Sequence, residues 1–239
     1  MIEQAWLQCN DPYEMLESLR GRSSDRKSRL FAVACCRRVW NRIPCLEGKR
    51  AVEVGEAFAD GLASGPELEA AGEAARLARP APPGEGDPVE KGAWLAALHC
   101  ADPDVFDAAT LTSEEACIVP ALVAEAAWCA RTGDDELPDE KWRSSLADER
   151  GRQSAILRDL IGNPFRPVAL NPAWLAWQGG KIAKLAQAIY DERASDRLPV
   201  LCGALEEAGC ADADILSHCR QPGEHVRGCW VVDLLVGKN

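Results

Sequence analysis

The 239-residue chain has no Walker loop, no GxGxxG and no HExxH. It therefore lacks the glycine-rich phosphate cradles and the paired-histidine helix on which common nucleotide and metalloprotease sites are built. Its cysteines form no CxxC pair, so the spacing matches no standard zinc finger. No apolar run approaches the roughly 20 residues of a membrane helix, and a membrane partner is not expected. The first residues, MIEQAWLQCNDPYEML, carry acids and no basic, apolar export region, which places the chain in the cytoplasm as an expectation. Runs of strictly alternating apolar and polar residues are missing too, which argues against a sheet. Histidine is scarce: His99, His218 and His225 are all there are.

What is present points to a packed interior. Hydrophobic residues make up 47% of the chain, enough to bury a core. The net charge is -11, which argues against a protein that coats nucleic acid. The one basic stretch runs from Arg20 to Arg50. It holds ten Lys or Arg against Asp25 and Glu47. Its simplest use is attraction to the acidic remainder of the same fold, and it is the only candidate nucleic-acid surface. Eleven cysteines, mostly among small apolar neighbours such as Ala34-Cys35-Cys36, read as reduced core residues. Eight tryptophans spread along the chain read as core and as staples for proline-rich connectors.

Helix signals are frequent. Asp11-Pro12 caps a short helix to Leu19, and Ser24 or Asp25 caps one running to about Ile43. On that helix, with Leu30 at 0°, Arg37 falls at about 340°, inside the apolar arc. A guanidinium there needs a carboxylate, because an unpaired buried charge costs several kcal/mol. Helices are expected over 47–62, 67–77 and 89–100. Ser113 is expected to cap a helix to Ala130, with Pro120 either kinking it or marking a late start, and another helix runs from Asp139 to Ile161. A connector follows over 163–171, with a short turn over 172–177. Further helices run from Gly180 to Arg193, from a cap at Asp196 to Gly209, and from Asp212 to Cys219. The run CWVVDLLV, 229–236, reads better as helix than as strand. The fold expected is all-α, an irregular multi-helix bundle with proline-rich connectors. It is read as a single domain, 1–239, with a sub-boundary at the proline-rich 79–88 linker and a C-terminal helical block over 180–238.

Three blocks, WLQCNDPYEMLESLRGRSSDRKSRLFAVACCRRVW, LRDLIGNPFRPVALNPAWL and DRLPVLCGALEEAGC through HCRQPGEHVRGCWVVDLLVGK, resemble a family of hypothetical proteins abundant in planctomycete genomes. That resemblance implies no activity. The DRLPVLCGALEEAG block is also similar to helical segments found beside repeat proteins in such genomes, which implies an interaction role.

The C-terminal tail is the one place where reactive residue types crowd together. Cys210, His218, Cys219, His225 and Cys229 could supply a tetrahedral zinc with soft and borderline ligands, and a metal clip would stabilise a small helix pair. The plainer alternative has the thiols packing in a core, the imidazoles bonding carbonyls, and no cofactor. A third reading makes a Cys–His dyad of His225 with Cys219 or Cys229. Asp233, alone inside CWVVDLLV, is expected to be buried and to pair with Arg37, or failing that Arg227. The leading functional reading is a non-catalytic, cytosolic protein-interaction or regulatory module with an unidentified protein partner. The zinc-stabilised helical binding domain comes next, and a Cys/His enzyme using the tail comes last.

Overall fold

A computed structural model describes residues 1–81 and 85–238. Among these residues it is all-helical, with no strand. Thirteen α-helices follow one another: α1 Glu3–Gln8, α2 Pro12–Leu19, α3 Asp25–Arg38, α4 Leu46–Ala59, α5 Gly65–Leu77, α6 Pro88–Cys100, α7 Val105–Thr132, α8 Asp139–Ile161, α9 Pro172–Ala176, α10 Lys181–Glu192, α11 Leu198–Glu207, α12 Ala213–Arg220 and α13 Trp230–Val236. Residue contacts divide the chain into two compact units, Glu3–Ala155 and Ile156 onward. The division falls inside α8. The proline-rich 79–88 stretch joins α5 to α6, two helices that touch within the first unit; its residues 82–84 lie outside those described. The helical block expected over 180–238 falls within the second unit.

The starts follow from capping chemistry. Asp11, Ser24, Ser64, Asp87, Asp104, Asn171 and Asp212 each accept amide N–H bonds at the first turn of a helix. Two expected caps are corrected. Ser113 lies inside α7, which begins eight residues earlier because Asp104 accepts from Phe106 and Asp107. Asp196 sits in a short 3₁₀ turn, and α11 starts without a side-chain cap. Pro120 lies inside α7 and does not end it.

In the first unit α3 is buried on nearly all sides, against α4, α6 and α7. Buried polar groups tie these helices together. Cys36 Sγ and Thr112 Oγ1 both donate to the Ala96 carbonyl, at 3.3 and 3.2 Å. Arg38 grips Glu149 with two bonds, 2.5 and 2.8 Å, and Glu149 is 1% exposed. The buried guanidinium of α3 is Arg29 rather than Arg37. Arg29 is 2% exposed and donates to the Cys100 carbonyl at 2.8 Å, and burial lowers its pKa. At about 260° on the same wheel, Arg29 lies inside the same apolar arc, between Cys36 and Trp40. Much of the basic stretch is occupied internally: Arg26 pairs with Asp60, Arg37 with Glu56 and Arg38 with Glu149.

The second unit has one core, formed by Ile182, Ala186, Ile189, Leu198, Leu201, Leu205, Ile215, Val231 and Leu235 with the thiols of Cys202, Cys210, Cys219 and Cys229. The run 229–236 is helix α13, as the sequence reading favoured, and Cys229 stands at its N-terminus.

Candidate metal centre

Four side chains of the second unit converge. Asp159 projects from the last turn of α8, His218 from α12, His225 from the loop after it, and Cys229 from the start of α13. One ligand atom from each lies within 4.8 Å of the others. Asp159 Oδ1 is 2.5 Å from His225 Nδ1 and 3.2 Å from His218 Nε2. His218 Nε2 is also 3.1 Å from Cys229 Sγ.

Local structure aims each group. Gly162 closes α8 at φ +69, a left-handed conformation suited to glycine. A Cβ there would stand 3.0 Å from the Trp230 ring. That ring in turn packs 5.3 Å, centroid to centroid, from His218. Asp159 Oδ2 accepts the Val226 amide at 2.9 Å, which leaves Oδ1 turned to the imidazoles. Gln221 serves both rings. Its side-chain Nε2 lies 3.2 Å from His218 Nδ1 and its backbone carbonyl bonds the His225 ring. Turned over so that Oε1 faces the ring, the Gln221 amide would accept from Nδ1–H and leave the Nε2 lone pair for a cation, the orienting role that partners of metal-bound histidines play.

The electrostatics fit an enclosed site. Asp159 and Cys229 are each 3% exposed. Burial acts to raise the Asp159 pKa, but the bonds from His218 and His225, the charge of His218 and the Val226 amide outweigh it and hold it below the usual value. Burial acts to lower His225, but the hydrogen bond and charge of Asp159 outweigh it and raise it. Burial, then the Asp159 charge, push the Cys229 thiol well up; the Val232 and Val231 amides act the other way.

Hydrogen bonding alone uses this arrangement poorly. A single Nε2 of His218 faces both a carboxylate oxygen and a sulfur, and it carries at most one proton to share between them. A divalent cation would meet all four groups at once. With one thiolate, one carboxylate and two neutral imidazoles it would form a neutral assembly, which burial tolerates. The ligand set and count are those of tetrahedral zinc. Zinc bonds of about 2.0–2.3 Å give tetrahedral edges of roughly 3.3–3.7 Å. The His218 contacts are close to that length already, and the His225–Asp159 contact would open by roughly 1 Å.

Of the five residues expected from sequence, His218, His225 and Cys229 come together. Cys210 and Cys219 are not part of the group. Both are buried in the core, and burial followed by neighbouring Cys202 and Cys210 pushes Cys219 up to about 12. The fourth member, Asp159, was missed. Its signal was an acid in the last turn of a helix, where the macrodipole disfavours negative charge, between Leu157 and Leu160. The expected Arg37–Asp233 pair is also corrected. Arg37 sits in the first unit, 3.2 Å from Glu56 and over the Trp40 ring, because Glu56 on α4 faces it directly. Asp233 is buried as anticipated, 1% exposed on α13. The second-choice partner, Arg227, lies over the Tyr190 ring.

No family model, curated protein or solved structure matches the chain. Among the described residues no helix is long and apolar enough to cross a membrane.

Proposed function

We propose that the chain is a non-catalytic helical interaction module whose second unit is clipped by a structural zinc ion held by Asp159, His218, His225 and Cys229. One observation carries the metal reading: four ligand atoms from four separate segments lie within 4.8 Å of one another. The clip joins the end of α8, α12, the following loop and α13. Such a unit, of fewer than ninety residues, gains from a metal what its small core does not supply. Support for an interaction role is indirect. It consists of the four-ligand donor set, which leaves no position open for a reacting group, and the resemblance of the tail to helical segments that accompany repeat proteins.

Metal analysis of protein purified without chelator tests this, with one zinc per chain expected. Loss of zinc on Cys229→Ser or His218→Ala, with residual helix retained, would locate it. Preparations that carry no zinc and take none up on addition contradict it.

The contact between His218 Nε2 and Cys229 Sγ, 3.1 Å, favours one second reading, a Cys–His nucleophilic pair. Burial that pushes the Cys229 thiol up works against it, since a nucleophilic cysteine needs a lowered pKa. Selective alkylation of Cys229 in zinc-free protein at neutral pH, faster than any half-buried cysteine, would support that reading.

A further inference from the structure

The first unit carries a groove of about 350 Å³, and none of the metal-ligating groups lines it. Its longest contribution is one face of α7. Thr110, Ser113, Glu114, Cys117 and Ile118 follow one another at i, i+3, i+4, i+7 and i+8, a stripe about 12 Å long. The start of α2 adds Pro12, Tyr13 and Leu16, and α8 adds Leu146 and Arg150. Tyr13 is 48% exposed, and Glu114 and Arg150 are exposed as well, so the groove opens to water.

The buried polar groups of the stripe are spent inside the protein. Thr110 Oγ1 donates to the Phe106 carbonyl at 2.8 Å, Ser113 Oγ to Gln153 Oε1 at 2.6 Å, and Cys117 Sγ to the Leu146 carbonyl at 3.7 Å. A small polar metabolite is fixed by donors and acceptors that converge on it, and these are already engaged within the fold. What remains to be covered is apolar: Leu16, Ile118, Leu146 and the Tyr13 ring. Charge supplies an independent observation. Two acids stand among the lining residues, Asp11 and Glu114. Asp11 uses Oδ1 for the first amides of α2, and among the described residues Glu114 makes no ion pair. The cation of the lining, Arg150, is bonded to the Cys117 thiol. The open edge is therefore left with unneutralised negative charge, on a chain whose net charge is -11.

We propose that this groove docks an amphipathic helical segment of a partner protein, with its apolar side chains on Leu16, Ile118 and Leu146 and a lysine or arginine beside Glu114. The proposal rests on the interaction reading and is independent of the metal, since every residue involved lies in the first unit. A helix laid in a groove reads it through anchors spaced at i, i+3, i+4 and i+7, the spacing of the α7 stripe itself. Opposite charge at the edge sets the direction of the segment and speeds its arrival.

The test uses the full chain and synthetic peptides of about fifteen residues, long enough to form a helix once bound. The first peptide carries leucines at i, i+3, i+4 and i+7 flanked by lysines. The second has glutamate for every lysine. The third scrambles the first, so that composition and charge stay and the stripe is lost. By calorimetry the first should bind one-to-one, and the other two at least about tenfold more weakly. Tyr13→Ala and Glu114→Lys, both at exposed positions, should keep the helix content. Each should weaken the first peptide by about tenfold, through loss of an aromatic anchor and through like-charge repulsion. Glu114→Lys should also narrow the gap between the lysine and glutamate peptides. Failure of every peptide to bind, or equal binding of the scrambled one, overturns the groove as a docking site. Binding of the first peptide that neither substitution changes also overturns it, and leaves the interaction reading standing at another surface. Self-association of the chain that Tyr13→Ala abolishes would give the groove to a second copy and overturn the proposal as stated.

Discussion

Asp159 Oδ1 lies 2.5 Å from His225 Nδ1 across 66 residues of chain, and the Val226 amide holds the other oxygen of the same carboxylate at 2.9 Å. This carboxylate joins the end of α8 to the loop between α12 and α13. Asp159→Asn keeps the shape and removes the charge. It is expected to abolish zinc uptake and to lower the stability of the second unit by about 3 kcal/mol, the usual cost of breaking a buried pair. Chemical denaturation followed at the buried Trp174 checks the second number, and metal analysis checks the first.

The pH dependence should change sign with metal. In zinc-free protein His225 is raised above its ordinary 6.5 and Asp159 is lowered below 3.8. The raised histidine contributes stability that is complete below its unfolded value and lost as pH rises through its folded value. The lowered aspartate contributes stability that is complete above its unfolded value and lost as pH falls through its folded value. Both contributions are therefore whole between roughly pH 4 and 6.5, and zinc-free stability from this pair declines on the alkaline side. Zinc displaces protons from His225 and from the Cys229 thiol, so its affinity should rise with pH, by about tenfold per unit for each proton displaced. Melting curves with and without zinc, from mildly acidic to mildly alkaline pH, should diverge.

Most of the helical pattern was legible in the sequence because capping and apolar periodicity are local. Asp11, Ser24 and Asp212 mark their helices by side-chain oxygens that meet amides two or three residues on. The site was half legible. Scarcity pointed to His218, His225 and Cys229, since three histidines and a thiol-rich tail narrow the search. Asp159 was hidden because acids are common in helices and its partners lie in the last part of the chain. Arg37 was misassigned because a helical wheel gives direction and not distance. Glu56 on α4 faces Arg37, while Arg29, on the same apolar arc, takes the buried place through backbone carbonyls.

Gly162→Ala should weaken the second unit through two routes, the left-handed backbone and the close approach of the Trp230 ring. A cost of about 1–3 kcal/mol is expected, with a several-fold loss of zinc affinity because Trp230 packs against His218. Gly133→Ala, also left-handed at φ +80 but with open space around it, should cost stability through the backbone alone and leave zinc affinity unchanged.

Thiol labelling should follow burial. Cys9, Cys45 and Cys129 are half-buried and the other eight are buried. A maleimide probe should label those three with or without zinc, and Cys229, buried with its thiol pushed well up, should stay unlabelled while the second unit is folded. Cys219, pushed up to about 12, should stay unlabelled at pH values where ordinary thiols react. Mass spectrometry of tryptic peptides reads each position.

In the first unit, Glu149→Gln should cost about 3 kcal/mol, because Arg38 would keep a largely buried charge without its carboxylate. Zinc content should stay at one per chain, since none of the four ligating groups lies in that unit.

X-ray absorption at the zinc edge of the purified, metal-loaded chain tests the central claim most directly. A coordination shell of one sulfur near 2.3 Å and three nitrogen or oxygen atoms near 2.0 Å is predicted, with the sulfur lost in Cys229→Ser. A shell of two or more sulfurs, a six-oxygen shell, or a spectrum unchanged by that substitution would contradict it.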